Sequence, residues 1–216
     1  MYKIIFIDEV EADIHRFQRY ILKKDINNEF KVIGKEPMES IDELLEYIFS
    51  EKVDAVISDF QLSEYKSSIT YTGVDLLEKL LLQKKRFPCF VMTSYDDQAV
   101  ATSTDVNIVY VKGLMNKEDN VKITFLERIK NQINHYKKII SVSQTKFNAL
   151  VEKSNSQNLT AKEEEKLLEL DAFLESALNQ ESKIPNKLKQ SSTLDDLHKL
   201  IENTDVLLKK MEQDSE

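Results

Sequence analysis

Up to about residue 118 the chain alternates between short continuous apolar runs and longer stretches whose apolar residues recur every three or four positions. The runs YKIIFID, FKVIGK, VDAVISDFQL, CFVMTS and NIVYVK are rich in β-branched residues and predict strands buried on both faces of a sheet. Between them lie EADIHRFQRYILKK, with Ile14, Phe17 and Ile21 on one face, SIDELLEYIFS, with Ile41, Leu44, Leu45 and Ile48 on one face, and GVDLLEKLLLQ. These spacings predict helices, the second started by a capping box of Ser40 and Glu43. A further short helix is expected around 96–104. Five strands alternating with helices predict an α/β fold built on a parallel, doubly wound sheet.

From about residue 121 the pattern becomes purely helical. Leu126, Ile129, Ile133, Tyr136, Ile140, Ser143, Phe147 and Leu150 step by alternate threes and fours, a heptad stripe with one polar position. A second helix opens at Thr160 and Glu163 and carries Leu167, Leu170, Leu174 and Ala177. The chain breaks around Pro185, and a third helix starts near Thr193, with Leu194, Leu197, Ile201, Thr204, Leu208 and Met211 on its stripe. The expected domains are therefore residues 1–120, α/β, and 121–216, all-α. No basic helix follows a tight turn, so direct DNA binding is not expected.

Charge and composition narrow the classes. Lys and Arg number 30 against 38 Asp and Glu, a net charge of −8, with the acid concentrated in the first 120 residues. Bulk charge therefore does not favour nucleic acid. The single cysteine, Cys89, cannot form an intrachain disulfide, and no apolar run reaches the length of a membrane span, so a soluble cytoplasmic protein is expected. The three histidines, His15, His135 and His198, form no cluster with Cys89 that suggests zinc. Only three glycines are present, too few for a glycine-rich nucleotide cradle.

The chemistry lies at the strand ends. The first strand stops at Asp8 and Glu9, the third at Asp59, the fourth at Thr93 and Ser94, and the fifth at Lys112. In a parallel sheet these ends share one edge, where open α/β sheets hold their ligands. Three crowded carboxylates repel one another unless a cation neutralises them, and hard oxygen donors of this kind suit Mg²⁺. A hydroxyl and an ammonium nearby are suited to phosphoryl oxygens.

Over residues 1–120 these features together resemble the receiver domain of two-component response regulators, which implies a flavodoxin-like five-stranded sheet. The resemblance implies that Asp59 is the phosphoacceptor, that Asp8, Glu9, Asp59 and the backbone carbonyl of Gln61 hold Mg²⁺, and that Thr93 and Lys112 contact the phosphoryl group. The phosphoryl group would come from a histidine kinase or a phosphotransfer protein. The receiver would catalyse both its own transfer and hydrolysis without being a conventional enzyme. The C-terminal helices would then relay the state as an interaction surface, with a homodimer as one solution. The chain departs from the family pattern in three places. The loop from Asp59 to Gly73 is long and lacks the usual proline, Gly113 replaces the proline after the lysine, and Val109 occupies the place of the switch aromatic while Tyr110 faces the other way. Two other classes remain in view. One is a receiver-like scaffold that works without phosphorylation; the other is a receiver fused to a phosphotransfer bundle, with His135 or His198 as the relay.

Overall fold

The structure, a computed structural model, describes residues 1–64, 66–94, 109–115 and 124–178. The short helix expected around 96–104, the third C-terminal helix and His198 lie outside these residues. Five strands form one parallel sheet in the order β2-β1-β3-β4-β5: β1 Tyr2–Ile7, β2 Phe30–Lys35, β3 Ala55–Asp59, β4 Cys89–Thr93 and β5 Val109–Val111. Helices α1 (Glu11–Lys24), α2 (Ile41–Ser50) and α3 (Gly73–Gln83) join the first four strands, and α4 (Phe125–Ser156) and α5 (Ala161–Leu178) follow the sheet. This is the flavodoxin-like, doubly wound architecture followed by a helical region, as the alternating pattern predicts.

Strand alternation divides the core between the two faces of the sheet. Ile4 and Phe6 of β1, Ala55 and Ile57 of β3, and Phe90 and Met92 of β4 pack in one cluster with Ile14, Phe17, Tyr20 and Ile21 of α1. Phe125, Leu126, Ile129 and Ile133 of α4 complete that cluster. The other strand residues, Ile5, Ile7, Val56 and Val91, are as deeply buried, as are Leu44, Leu45 and Ile48 of α2 and Leu76, Leu77 and Leu80 of α3. Tyr110 joins the α4 side, its ring centroid 4.9 Å from Phe125 and 5.7 Å from Phe90.

Helix starts follow local chemistry. Thr72 and Asp75 form a reciprocal capping box at α3, each side chain taking the other's backbone N–H, at 3.2 and 2.8 Å. Thr124 and Glu127 do the same at α4. At Ser40 only half of the expected box is present, the hydroxyl accepting Glu43 N–H at 3.4 Å.

The chain divides into two compact units, Met1–Ile139 and Ile140–Glu216. In the first, the α4 stripe residues Leu126, Ile129, Ile133 and Tyr136 are buried. In the second, Ile140, Phe147 and Leu150 are half-buried, while Leu170 and Leu174 of α5 are buried. Lys153 and Glu163 pair across the α4–α5 turn at 2.5 Å. Among the described residues no helix is long and apolar enough to cross a membrane.

One close approach fixes where α3 meets the sheet. Gly73 donates its N–H to the Phe60 carbonyl at 2.9 Å, and a Cβ on Gly73 would stand 1.9 Å from the Asp59 carbonyl oxygen. The clash is with backbone, so α3 or the end of β3 has to move. Gly73→Ala is therefore expected to lower the unfolding free energy by about 1–3 kcal/mol, the usual cost of forced overpacking. Urea denaturation checks this, and an unchanged midpoint would show that the two elements separate easily.

Candidate functional site

Strand register brings the chemistry-bearing residues to one edge. Ile7 pairs with Ser58, Asp59 with Met92, and Thr93 with Val111. The residues that follow, Asp8 after β1 and Lys112 after β5, therefore leave the sheet at the same level as Asp59 and Thr93. Asp8 is completely buried, and Glu9, Asp59, Thr93 and Lys112 are nearly so. Ser94, the competing hydroxyl, is exposed.

The Lys112 ammonium lies at the centre. Its Nζ is 2.8 Å from Asp8 Oδ2, 2.8 Å from Asp59 Oδ1 and 2.8 Å from Asp13 Oδ2. The remaining oxygens of the two strand-end acids are also occupied. Val10 N–H donates to Asp8 Oδ1 at 2.9 Å, and Gln61 N–H donates to Asp59 Oδ2 at 3.1 Å. Glu9 turns toward the long loop, where its Oε1 accepts Glu64 N–H at 2.9 Å. That loop is anchored, with Leu62, Ile69 and Tyr71 buried and the Tyr71 hydroxyl donating to Met38 O at 2.6 Å. With glycine rather than proline after Lys112, the chain turns into a 3₁₀ segment over Lys112–Met115.

Of the residues predicted from sequence, Asp8, Asp59 and Lys112 are in direct contact. Gln61 joins them through its backbone, and Thr93 stands beside them at the end of β4. Glu9, the residue after Asp8, gives one carboxylate oxygen, Oε1, to the Glu64 N–H. Asp13 is the residue that sequence reasoning missed. It lies in the first turn of α1, the helix that leaves β1 at Asp8, and a first-turn carboxylate is there placed over the carboxyl edge of the sheet. The acidic run Asp8, Glu9, Glu11, Asp13 was the available signal.

Burial and charge compete unequally on the two sides of this cluster. Burial raises the pKa of Asp59 to about 6, reinforced by Asp8 and opposed by Lys112 and the Gln61 N–H. Asp8 is also raised, chiefly by burial, against the pull of Lys112. Burial disfavours the Lys112 ammonium, yet Asp59, Asp13 and Asp8 outweigh it and hold its pKa above the ordinary lysine value. The asymmetry is physical, because Lys112 draws on three carboxylates whereas Asp8 and Asp59 both depend on that one cation.

Among the described residues no three His, Cys, Asp or Glu side chains are grouped as a ready metal cage; Asp8, Asp13 and Asp59 face an ammonium instead. Mg²⁺ needs only one or two carboxylates and keeps several waters. Two buried carboxylates at aligned strand ends fit that requirement in their chemistry.

No protein-family model matches the chain, and no curated protein matches it in sequence. Solved structures similar to it are receiver-type regulators. The anti-anti-sigma factor PhyR from Bartonella quintana aligns at 13% identity with a TM-score of 0.43, over 66% of this chain and 51% of that one. This chain thus spans about half the length of PhyR. The non-phosphorylated receiver domain of RcsB from Escherichia coli aligns at 14% identity with a TM-score of 0.41, over 54% of this chain and 86% of that one. An RcsB–DNA complex aligns at 14% identity with a TM-score of 0.41, over 89% of this chain and 98% of that one. At such identities likeness speaks to fold alone, and the fold stands on the strand order itself.

The expectation of no direct DNA binding does not stand. RcsB, to which the chain is similar, has been solved in complex with DNA. The exclusion rested on overall acidity and on a missing basic recognition helix. Phosphate contacts depend on local rather than total charge, and residues 179–216, over which much of that pattern was read, lie outside the described residues.

The raised Asp59 pKa has a consequence for stability. A carboxyl that holds its proton more tightly when folded costs the folded state at any pH above its unfolded pKa near 3.8. Stability is therefore lost as pH rises from about 4 to about 6 and is not regained above. Asp59→Asn removes that cost. In metal-free protein it is expected to stabilise by on the order of 2 kcal/mol at pH 7.5 and by nothing at pH 4. Urea unfolding at the two pH values checks this, and destabilisation at pH 7.5 would mean that the ion pair with Lys112 outweighs burial.

Proposed function

We propose that this protein is a phosphorylation-dependent signalling regulator whose receiver takes a phosphoryl group onto Asp59. The observation that carries the reading is the meeting of Asp8, Asp59 and Lys112 at the carboxyl edge of a parallel sheet, within 2.8 Å of one ammonium. An Asp59 pKa of about 6 leaves the carboxylate ionised, and so nucleophilic, at neutral pH. An Asp59 oxygen attacks the phosphorus of a phosphohistidine or of a small acyl phosphate. As the new O–P bond forms, the bond from phosphorus to the leaving nitrogen or oxygen breaks, and the electron pair departs with the leaving group. Lys112 stays protonated throughout and donates to a phosphoryl oxygen, and the Thr93 hydroxyl lies at the next strand end to do the same. Phosphoryl transfer needs little beyond such positioning and neutralisation.

Asp8, Asp59, Glu9 and the Gln61 carbonyl would hold Mg²⁺, which when bound neutralises phosphoryl oxygens that the carboxylates would otherwise repel. Water later attacks the acyl phosphate, which releases inorganic phosphate and restores the Asp59 carboxylate. A histidine kinase or phosphotransfer protein is the natural donor. The helical region, residues 121–216 by its sequence pattern, carries the output. Val109 in place of an aromatic and the long loop after Asp59 support a readout unlike the usual one.

Intact mass spectrometry after incubation with Mg²⁺ and acetyl phosphate tests the reading. One phosphoryl adduct is expected, lost in Asp59→Asn and on chelation of the metal. Unmodified wild-type protein under acetyl phosphate, carbamoyl phosphate and phosphoramidate alike would overturn it in favour of a scaffold that keeps the fold without the chemistry.

A further inference from the structure

A lysine ammonium has three N–H donors. In this protein three carboxylates stand at 2.8 Å from it, one per donor. Two belong to the strand-end site, Asp8 and Asp59. The third, Asp13, comes from the first turn of α1 and has no part in the chemistry proposed above. Asp13 is itself held, because its Oδ1 lies 3.0 Å from Arg16 Nη1, one turn further along the helix. Its side chain is only 16% exposed, so the link to Lys112 is shielded from water on most sides.

A phosphoryl group on Asp59 presents several anionic oxygens and one protonated lysine to receive them. Lys112 can offer them the donor that Asp59 held, whereas the donor on Asp13 points away toward α1. Any second N–H given to the phosphoryl group has to be taken from Asp13 or Asp8.

We propose that Asp13 is a positioning residue that restrains Lys112 and competes with phosphoryl oxygens for one of its N–H donors, thereby loosening the hold on the phosphoryl state. The inference rests on the receiver reading and names a control within that site. Asp13 anchors the ammonium between the sheet edge and α1 in the unphosphorylated protein and draws it back as the phosphoryl group leaves.

Beryllofluoride, a stable phosphoryl mimic, provides the test when added with Mg²⁺. Asp13→Asn is expected to bind it about three- to tenfold more tightly than wild type, the gain from one charge-assisted hydrogen bond redirected to the anion. Glu11→Gln removes the same charge from an exposed neighbouring position and should leave the affinity unchanged, which separates a specific contact from a general loss of negative charge. The Nζ resonance of Lys112 in ¹⁵N-labelled metal-free protein should be visible in wild type and in Glu11→Gln, and shifted or lost in Asp13→Asn. Asp13→Ser, which also removes the carboxylate and suits a helix start, should repeat both results, with circular dichroism confirming the fold. Wild type that binds beryllofluoride with an affinity unaltered or weakened by Asp13→Asn overturns the inference and leaves the receiver reading standing. Wild type that neither binds the mimic nor accepts a phosphoryl group overturns both.

Discussion

Buried carboxylates at the carboxyl edge of the sheet make the Lys112 ammonium indispensable, because nothing else among the described contacts brings a positive charge into direct contact with Asp8 and Asp59. Its position depends on almost every other feature of the first unit. The five parallel strands must stay in register so that Asp8, Asp59 and Lys112 leave the sheet at one level. Helix α1 must begin close enough to β1 for Asp13 to reach the same nitrogen. Helix α3 must approach the end of β3 so closely that only glycine fits at residue 73. A one-residue slip in β1, β3 or β5 would turn a carboxylate or the lysine to the opposite face and leave a buried charge without its partner.

The cluster is stable without being balanced. Three acids share one lysine, with Arg16 reaching only Asp13, the outermost of them. The apolar layers above and below the sheet supply the driving force that tolerates this imbalance. Ile4, Phe6, Ile57, Phe90 and Ile133 on one side, and Ile5, Ile7, Leu44 and Leu77 on the other, are essentially inaccessible to water. A site that holds excess negative charge in a low-dielectric rim favours whatever cation comes to it. On the proposed reading, such a cation would also offset the repulsion between these carboxylates and an incoming phosphoryl group.

Helix α4 is the longest element and changes character along its length. Its first turns are an integral layer of the α/β unit, buried at Leu126, Ile129 and Ile133. The same heptad stripe continues through Ile140, Phe147 and Leu150, where burial is only partial. The change of pattern near residue 120, where strands give way to helices, and the division into compact units after Ile139 are thus two different boundaries. A helix that begins after the last strand can still belong to the sheet it covers.

The strands and their order of appearance, the helices between them and the acids, hydroxyl and lysine at the strand ends were legible in the sequence. Period-two and period-3.6 patterns are local, and a parallel sheet forces all carboxyl ends onto one edge. The heptad stripe and the side on which Tyr110 packs were legible for the same reason. Three things only the tertiary structure decided. Asp13 reaches Lys112 across 99 residues of chain, a proximity that no spacing rule encodes. Glu9 accepts the Glu64 N–H across 55 residues of chain, a contact that its place beside Asp8 in the sequence does not announce. Gly73 reads in sequence as an ordinary helix start, yet its lack of a side chain is required by a carbonyl oxygen from β3. Sequence determines which groups stand at the rim; how the charge is shared among them is set by packing, because burial and distance are properties of the folded chain alone.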